Sequence, residues 1–164
     1  PNPVLFLEHK KAYRLLKGEV PDDDYAVPLD RAKVHREGTD LTVISSGLML
    51  NDVVVAAEKI SKEHGIESEV VEPISLYPLD RETILSSAKK TGKTLVVSEA
   101  NLEGSVSGEI AALIAEHAFE WLDGPVRRLG SPDSPAAPFA RPLTDAFVPS
   151  AAAIEAAMLD LARY

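Results

Sequence analysis

Apolar residues follow two periods along this chain. Short runs rich in β-branched residues and bounded by turn residues, at 41–44, 69–71, 95–97 and 126–129, have the pattern of buried strands. Between them, apolar positions recur every three or four residues, the spacing of one helix face. The first such helix has Asn51 or Asp52 as its cap and turns Val53, Ala56, Ala57 and Ile60 inward, with Val54 and Val55 widening the face. It runs to His64 and stops at Gly65. The second is capped by Asp80, buries Ile84, Leu85 and Ala88, and closes at Gly92. The third follows a polar loop with Gly104 and Gly108 and presents Ile110, Leu113, Ile114, Ala118 and Trp121 on one side. The last has Pro149 in its first turn and an apolar face of Ile154, Ala157, Met158 and Leu161. Strands and helices thus alternate, and the crossovers are long enough for parallel pairing. The pattern predicts a three-layer α/β/α domain over residues 34–164.

Two stretches fall outside that rhythm. Residues 3–8 read as a strand without obvious neighbours, and residues 10–33 as a linker with Pro21, Pro28, a solvated acidic run at 22–24 and a short helical piece at 11–16. The chain begins with Pro1 rather than Met and enters the first strand almost at once. A piece of a longer protein is expected, with residues 1–9 as the last strand of a domain that is otherwise missing. Residues 131–149 hold Pro132, Pro135, Pro138, Pro142 and Pro149, and an extended loop is expected there.

Composition narrows the function more than the fold. The 164 residues are 45% hydrophobic, enough to bury a core of one domain. The net charge of −9 argues against nucleic acid and anionic membranes as partners, since both need basic patches. With no cysteine there is no disulfide and no thiolate metal site. No apolar run has the length of a membrane span, and no signal-peptide pattern opens the chain. A cytoplasmic protein is expected, or one of the mitochondrial matrix if the source is eukaryotic.

Candidate chemistry is sparse. His9, His35, His64 and His117 show no metal-ligand spacing. His117 lies near the apolar face of its helix and reads as a satisfied core or interface histidine. No G-x-S-x-G elbow is present. The Gly104 to Gly108 loop lacks the Lys-Ser/Thr of a P-loop and the G-x-G-x-x-G spacing. It reads as a tight turn with close helix–sheet contact, although glycines before a helix can also cradle an anion. Glu99 and Glu103 flank that loop near a strand end, where open α/β sheets bind ligands. Without a visible base or cation they read as solvated carboxylates. Asp123 alone reads as a turn residue before Gly124 and Pro125.

Several motifs together resemble one family. They are NPVLFLEHK (2–10), KGEVPDDDY (17–25), SLYPLD (75–80), SEA (98–100), GEIAA (108–112), AFEWLDGPVR (118–127) and PDSP (132–135). In order and over the whole chain they look like the second half of the β subunit of thiamine-diphosphate-dependent 2-oxo acid dehydrogenases, of the pyruvate, branched-chain or acetoin type. The resemblance implies a transketolase C-terminal domain whose sheet has one antiparallel edge strand, in place of the all-parallel sheet read from the pattern. It also implies an α2β2 parent enzyme that decarboxylates a 2-oxo acid on thiamine diphosphate with Mg2+ and passes the acyl group to a lipoyl arm. The cofactor-activating carboxylate would lie in the missing domain, so no catalytic or cofactor-binding residue is carried over and the chain alone is expected to be inactive. Some members have His where this chain has Ser98, so no imidazole role is carried over there. Asn2 matches a position near a monovalent cation in some members. The family pairs its C-terminal domains about a two-fold axis, contacts an α subunit, and docks the subunit-binding domain of the acyltransferase core. Docking there uses an acidic residue before an Ala/Gly-Pro turn and the terminal carboxylate, which match Asp123 and Tyr164. The alternatives are another transketolase-like enzyme, such as a deoxyxylulose-phosphate synthase, or a stand-alone small-anion-binding domain built on the Gly104 to Gly108 loop.

Overall fold

The computed structural model describes residues 3 and 5–164. A five-stranded sheet has the order β1-β3-β2-β4-β5. Its strands are β1 (Lys33–Arg36), β2 (Leu41–Ser45), β3 (Ser68–Glu72), β4 (Thr94–Asn101) and β5 (Arg127–Ser131). Strands β3, β2, β4 and β5 are parallel, with Val43 opposite Val70 on one side and Leu95 on the other. Edge strand β1 runs antiparallel to β3. The all-parallel expectation from the pattern is therefore corrected, and the mixed sheet implied by the resemblance is the one found.

Alternation along β2 decides the layers. Leu41 and Val43 join Val70, Leu95 and Val97 beneath α2 (Leu48–His64) and α6 (Ala151–Ala162). Ile44 joins Val71 and Val96 on the opposite face, beneath α3 (Arg81–Thr91) and α4 (Val106–His117). A sheet buried on both faces needs apolar residues at successive positions, and β2 is buried throughout. The three-layer α/β/α fold follows. Among the described residues no helix is long and apolar enough to cross a membrane.

Several boundaries differ from those expected. Helix α2 begins at Leu48 behind Gly47, ahead of Asn51 and Asp52, and no side chain caps it. Helix α4 ends at His117, and a 3₁₀ turn (Phe119–Trp121) follows, which takes Trp121 off the inner face and leaves it 48% exposed. Lys89 lies 4.2 Å above its ring. His117 is not in the core: Arg81 Nη2 donates to its Nε2 at 2.9 Å on an exposed surface. The proline-rich stretch contains α5 (Arg141–Phe147), with Pro142 in the first turn, where a missing N–H costs nothing. Pro149 precedes the cap of α6, and Ser150 accepts from the Ala153 amide.

At the start of the chain, α1 (Ala12–Leu15) is a single turn. No strand forms over the described residues among 3–8, and Leu5 and Leu7 are each 91% exposed. A strand needs a neighbour for its N–H and C=O groups, and neither sheet edge takes this segment up.

Asp80 ties the segment before β1 to the core. Its carboxylate accepts from the Thr83 amide and hydroxyl at 3.1 and 2.6 Å and from the Ala32 amide at 2.8 Å. Burial pushes the Asp80 carboxyl up, but these hydrogen bonds outweigh it and hold the group below its ordinary value of 3.8. A depressed folded-state value stabilises the fold above the unfolded value, and the effect is lost as pH falls through the folded one. Asp80→Ala is expected to cost about 1–2 kcal/mol at neutral pH. The difference from the parent chain should shrink in denaturant melts as pH is lowered below about 4.

Candidate functional site

Two of the concave features among the described residues bear on function, and they lie at different places. The first is a groove of about 960 Å3 on the outer side of α4 and the turn leading into β5. Its walls include Gly108, Ala111 and Ala115 of α4, together with Asp123, Arg128 and Tyr164. The two residues singled out for docking, Asp123 and Tyr164, therefore line one surface although 41 positions separate them in sequence (164 − 123).

Local contacts explain how they meet. The Asp123 amide donates to the Gly92 carbonyl at 2.8 Å, which fixes the turn against the end of α3. Gly92 is left-handed, with φ +70, and a Cβ there would sit 2.4 Å from Asp123 Oδ2. Gly124 comes next, and a Cβ on it would lie 3.1 Å from Cδ1 of the Tyr164 ring. Beyond α6, the Tyr164 amide donates to the Leu161 carbonyl at 3.2 Å, so the chain end closes onto that glycine. Both side chains are exposed, with Tyr164 at 69%. The Asp123 carboxylate is thus offered to solvent on this surface beside Tyr164. Gly108 belongs to α4 and faces the groove, 3.3 Å (from a built Cβ) from Arg128 Nη1. Gly104, with φ +65, lies in the turn before α4.

The second feature is a cavity of about 260 Å3 at the C-terminal ends of β2 and β4, bordered by the first turns of α2 and α4. Its lining includes Ile44, Ser45, Val96, Ser98, Glu99 and His9. His9 Nε2 lies 3.1 Å from Glu99 Oε2, a pairing across 90 residues that sequence spacing gives no sign of. Glu103 is not part of this wall, and its amide bonds Asp133 Oδ1 at 3.3 Å. The two loop carboxylates therefore do not form an acid–base pair.

Asn2 lies outside the described residues. Among those described, no group of three or more His, Asp or Glu side chains converges as a metal site would. Among the described residues the cavity offers one carboxylate, Glu99, and that one lies 3.1 Å from His9 Nε2.

Comparisons with known proteins agree with the fold. The family model described as "Transketolase, C-terminal domain" matches residues 30–154. The 2-oxoisovalerate dehydrogenase subunit beta of Bacillus subtilis is 49% identical over 99% of this chain and 50% of its own length. The pyruvate dehydrogenase E1 component subunit beta of the same organism is 41% identical over 81% of this chain and 41% of its length. Among solved structures, a split-gene transketolase described as an inactive beta4 tetramer superposes with a TM-score of 0.74 at 27% identity, over 89% of this chain and 46% of that one. The chain spans about half the length of the curated relatives it matches.

Gly92→Ala tests the turn that places Asp123. The substitution combines positive φ with a 2.4 Å clash on the carboxylate. A loss of about 1–3 kcal/mol is expected in denaturant unfolding, with the amide resonance of Asp123 displaced.

Proposed function

We propose that this chain, which belongs to the transketolase C-terminal domain family, is the assembly half of the β subunit of a 2-oxo acid dehydrogenase. The observation that carries the reading is the shared groove of Asp123 and Tyr164. In this reading the parent enzyme oxidatively decarboxylates a 2-oxo acid and passes the acyl group to lipoyl. Thiamine diphosphate and Mg2+ are held by other parts of it. This half pairs with a second β subunit and the α subunit, and it receives the subunit-binding domain of the acyltransferase core. Alone it turns over no substrate. The identities of 41% and 49% to β subunits of this kind support that parent over a more distant transketolase-like enzyme. The description of the split-gene transketolase as an inactive tetramer of one subunit type is in keeping with a half that needs its partner.

The physics of docking is electrostatic. A basic partner meets a chain of net charge −9, and the exposed Asp123 carboxylate, with Tyr164 beside it, accepts from Arg or Lys donors. Exposed pairs of this kind act mainly on association rate and weaken as salt rises. Calorimetric titration of the chain with the subunit-binding domain of a matching acyltransferase should give salt-sensitive binding. Asp123→Lys should weaken it by tenfold or more, on the order of 1.4 kcal/mol. Removing Tyr164 should weaken it independently. Binding unchanged in both variants would rule the groove out as the docking surface.

A further inference from the structure

The two docking residues stand on separate pieces of chain, and one short turn lies behind both. That turn is Gly92-Lys93, between the end of α3 and the start of β4. Its main chain is tied to the sheet. The Thr42 amide of central strand β2 donates to the Lys93 carbonyl at 2.8 Å, and the Thr91 hydroxyl donates to the same oxygen at 3.1 Å. Thr42 and Thr91 are buried, so the turn is anchored in the core.

From this base the turn reaches both arms of the groove. The Asp123 arm is held through the main chain, since its amide donates to the Gly92 carbonyl at 2.8 Å. The Tyr164 arm is held by a side chain. Lys93 Nζ donates to the Ala162 carbonyl at 2.8 Å, across 69 residues of sequence. Ala162 is the last residue of α6, two before Tyr164.

The chemistry of that second bond is specific to a helix end. The last carbonyls of a helix have no partner within it and carry partial negative charge. Those of Leu159 and Leu161 accept from the Arg163 and Tyr164 amides. No basic residue lies in the last turn of α6 itself, so the cation that this end favours comes from the α3–β4 turn. Lys93 is half-buried, and a hydrogen bond from a charged donor is stronger there than one between neutral groups. The two arms then meet directly, with the Tyr164 ring against Gly124. If the end of α6 drifts, the ring leaves Gly124 and the spacing of the two docking residues is lost.

Given the docking reading above, we propose that Lys93 is the positioning residue of the groove. Its ammonium pins the end of α6 to the turn that also holds Asp123, and so fixes where Tyr164 stands relative to Asp123. Lys93 does not line the groove and acts without touching the partner. The sign of the effect separates position from charge. The partner is basic and the chain has net charge −9, so loss of a cation alone would tighten docking. Loss of position weakens it.

The test is Lys93→Met, which keeps the length of the side chain and removes the donor. Amide NMR of the chain without partner should show the resonances of Asp123, Gly124 and Tyr164 displaced. Calorimetric titration with the subunit-binding domain of a matching acyltransferase should show binding weakened about tenfold. Lys93→Arg, which keeps the charged donor, should restore both readouts. Asp80→Ala, which lowers stability at the other end of α3, should leave both unchanged. If Lys93→Met does not fold, Lys93→Gln, one bond too short to reach the carbonyl, takes its place. Unmoved resonances, unchanged or tighter binding, or no rescue by Lys93→Arg would each overturn the positioning role alone. Absence of binding by the parent chain, or full binding by Asp123→Lys, would overturn the docking reading and the positioning role with it.

Discussion

A parallel sheet must be covered on both faces, and nearly everything else in this molecule follows from how that is done. Leu41 and Val43 point one way from β2 and Ile44 the other, so one strand feeds both cores. Burial of this kind, at roughly 25 cal/mol per Å2 of apolar surface, is the main favourable term in the fold. It also forces the chain to lay helices on alternate sides, and the crevice between β2 and β4 is the geometric remainder. The second face is not wholly apolar. Thr42 lies within 3.0 Å of the Ser87 hydroxyl and carbonyl and of the Thr91 hydroxyl. Ser87 in turn donates to the buried Glu69 at 2.5 Å, and Glu69 is paired with Lys90. Thr42, Ser87 and Glu69 are thereby linked to one another and to α3, which fixes how that helix sits on the sheet.

The groove depends on different constraints. Gly92 and Gly124 are glycines because something else occupies the place of a Cβ: the Asp123 carboxylate in one case and the Tyr164 ring in the other. The end of α3, the turn after α4 and the end of α6 thus converge through two residues without side chains. Cavity and groove are separate in their lining residues.

Much of the fold was legible because it is written locally. Asp80 before Thr83, Gly65 and Gly92 after their helices, and the β-branched run into Val97 each announce an element by near neighbours. What escaped is less local. Strand β1 is four mostly exposed residues at an edge, so it carries no alternation of apolar positions. Helix α2 starts on a glycine whose capping is done without a side chain, and Asn51 and Asp52 offered a false start one turn later. Helix α4 continues its periodicity in sequence through Trp121, yet the backbone leaves the helix at Ala118. The site was less legible still. Asp123 and Tyr164 came from resemblance, since a turn aspartate and a terminal tyrosine have no local signature. The cavity, with His9 against Glu99 on its wall, exists only once strand order is known.

The central functional claim is that this half of the subunit joins a larger complex and leaves the chemistry to other parts. It is tested most directly by placing Asp123→Lys in a full-length β subunit assembled with its α subunit and measuring two rates. One is decarboxylation of the 2-oxo acid with an artificial electron acceptor, and the other is the overall reaction through the acyltransferase core. The account predicts that the first is kept and the second falls by tenfold or more, recovering when the core is supplied in excess. Equal loss of both rates, or of neither, would contradict it.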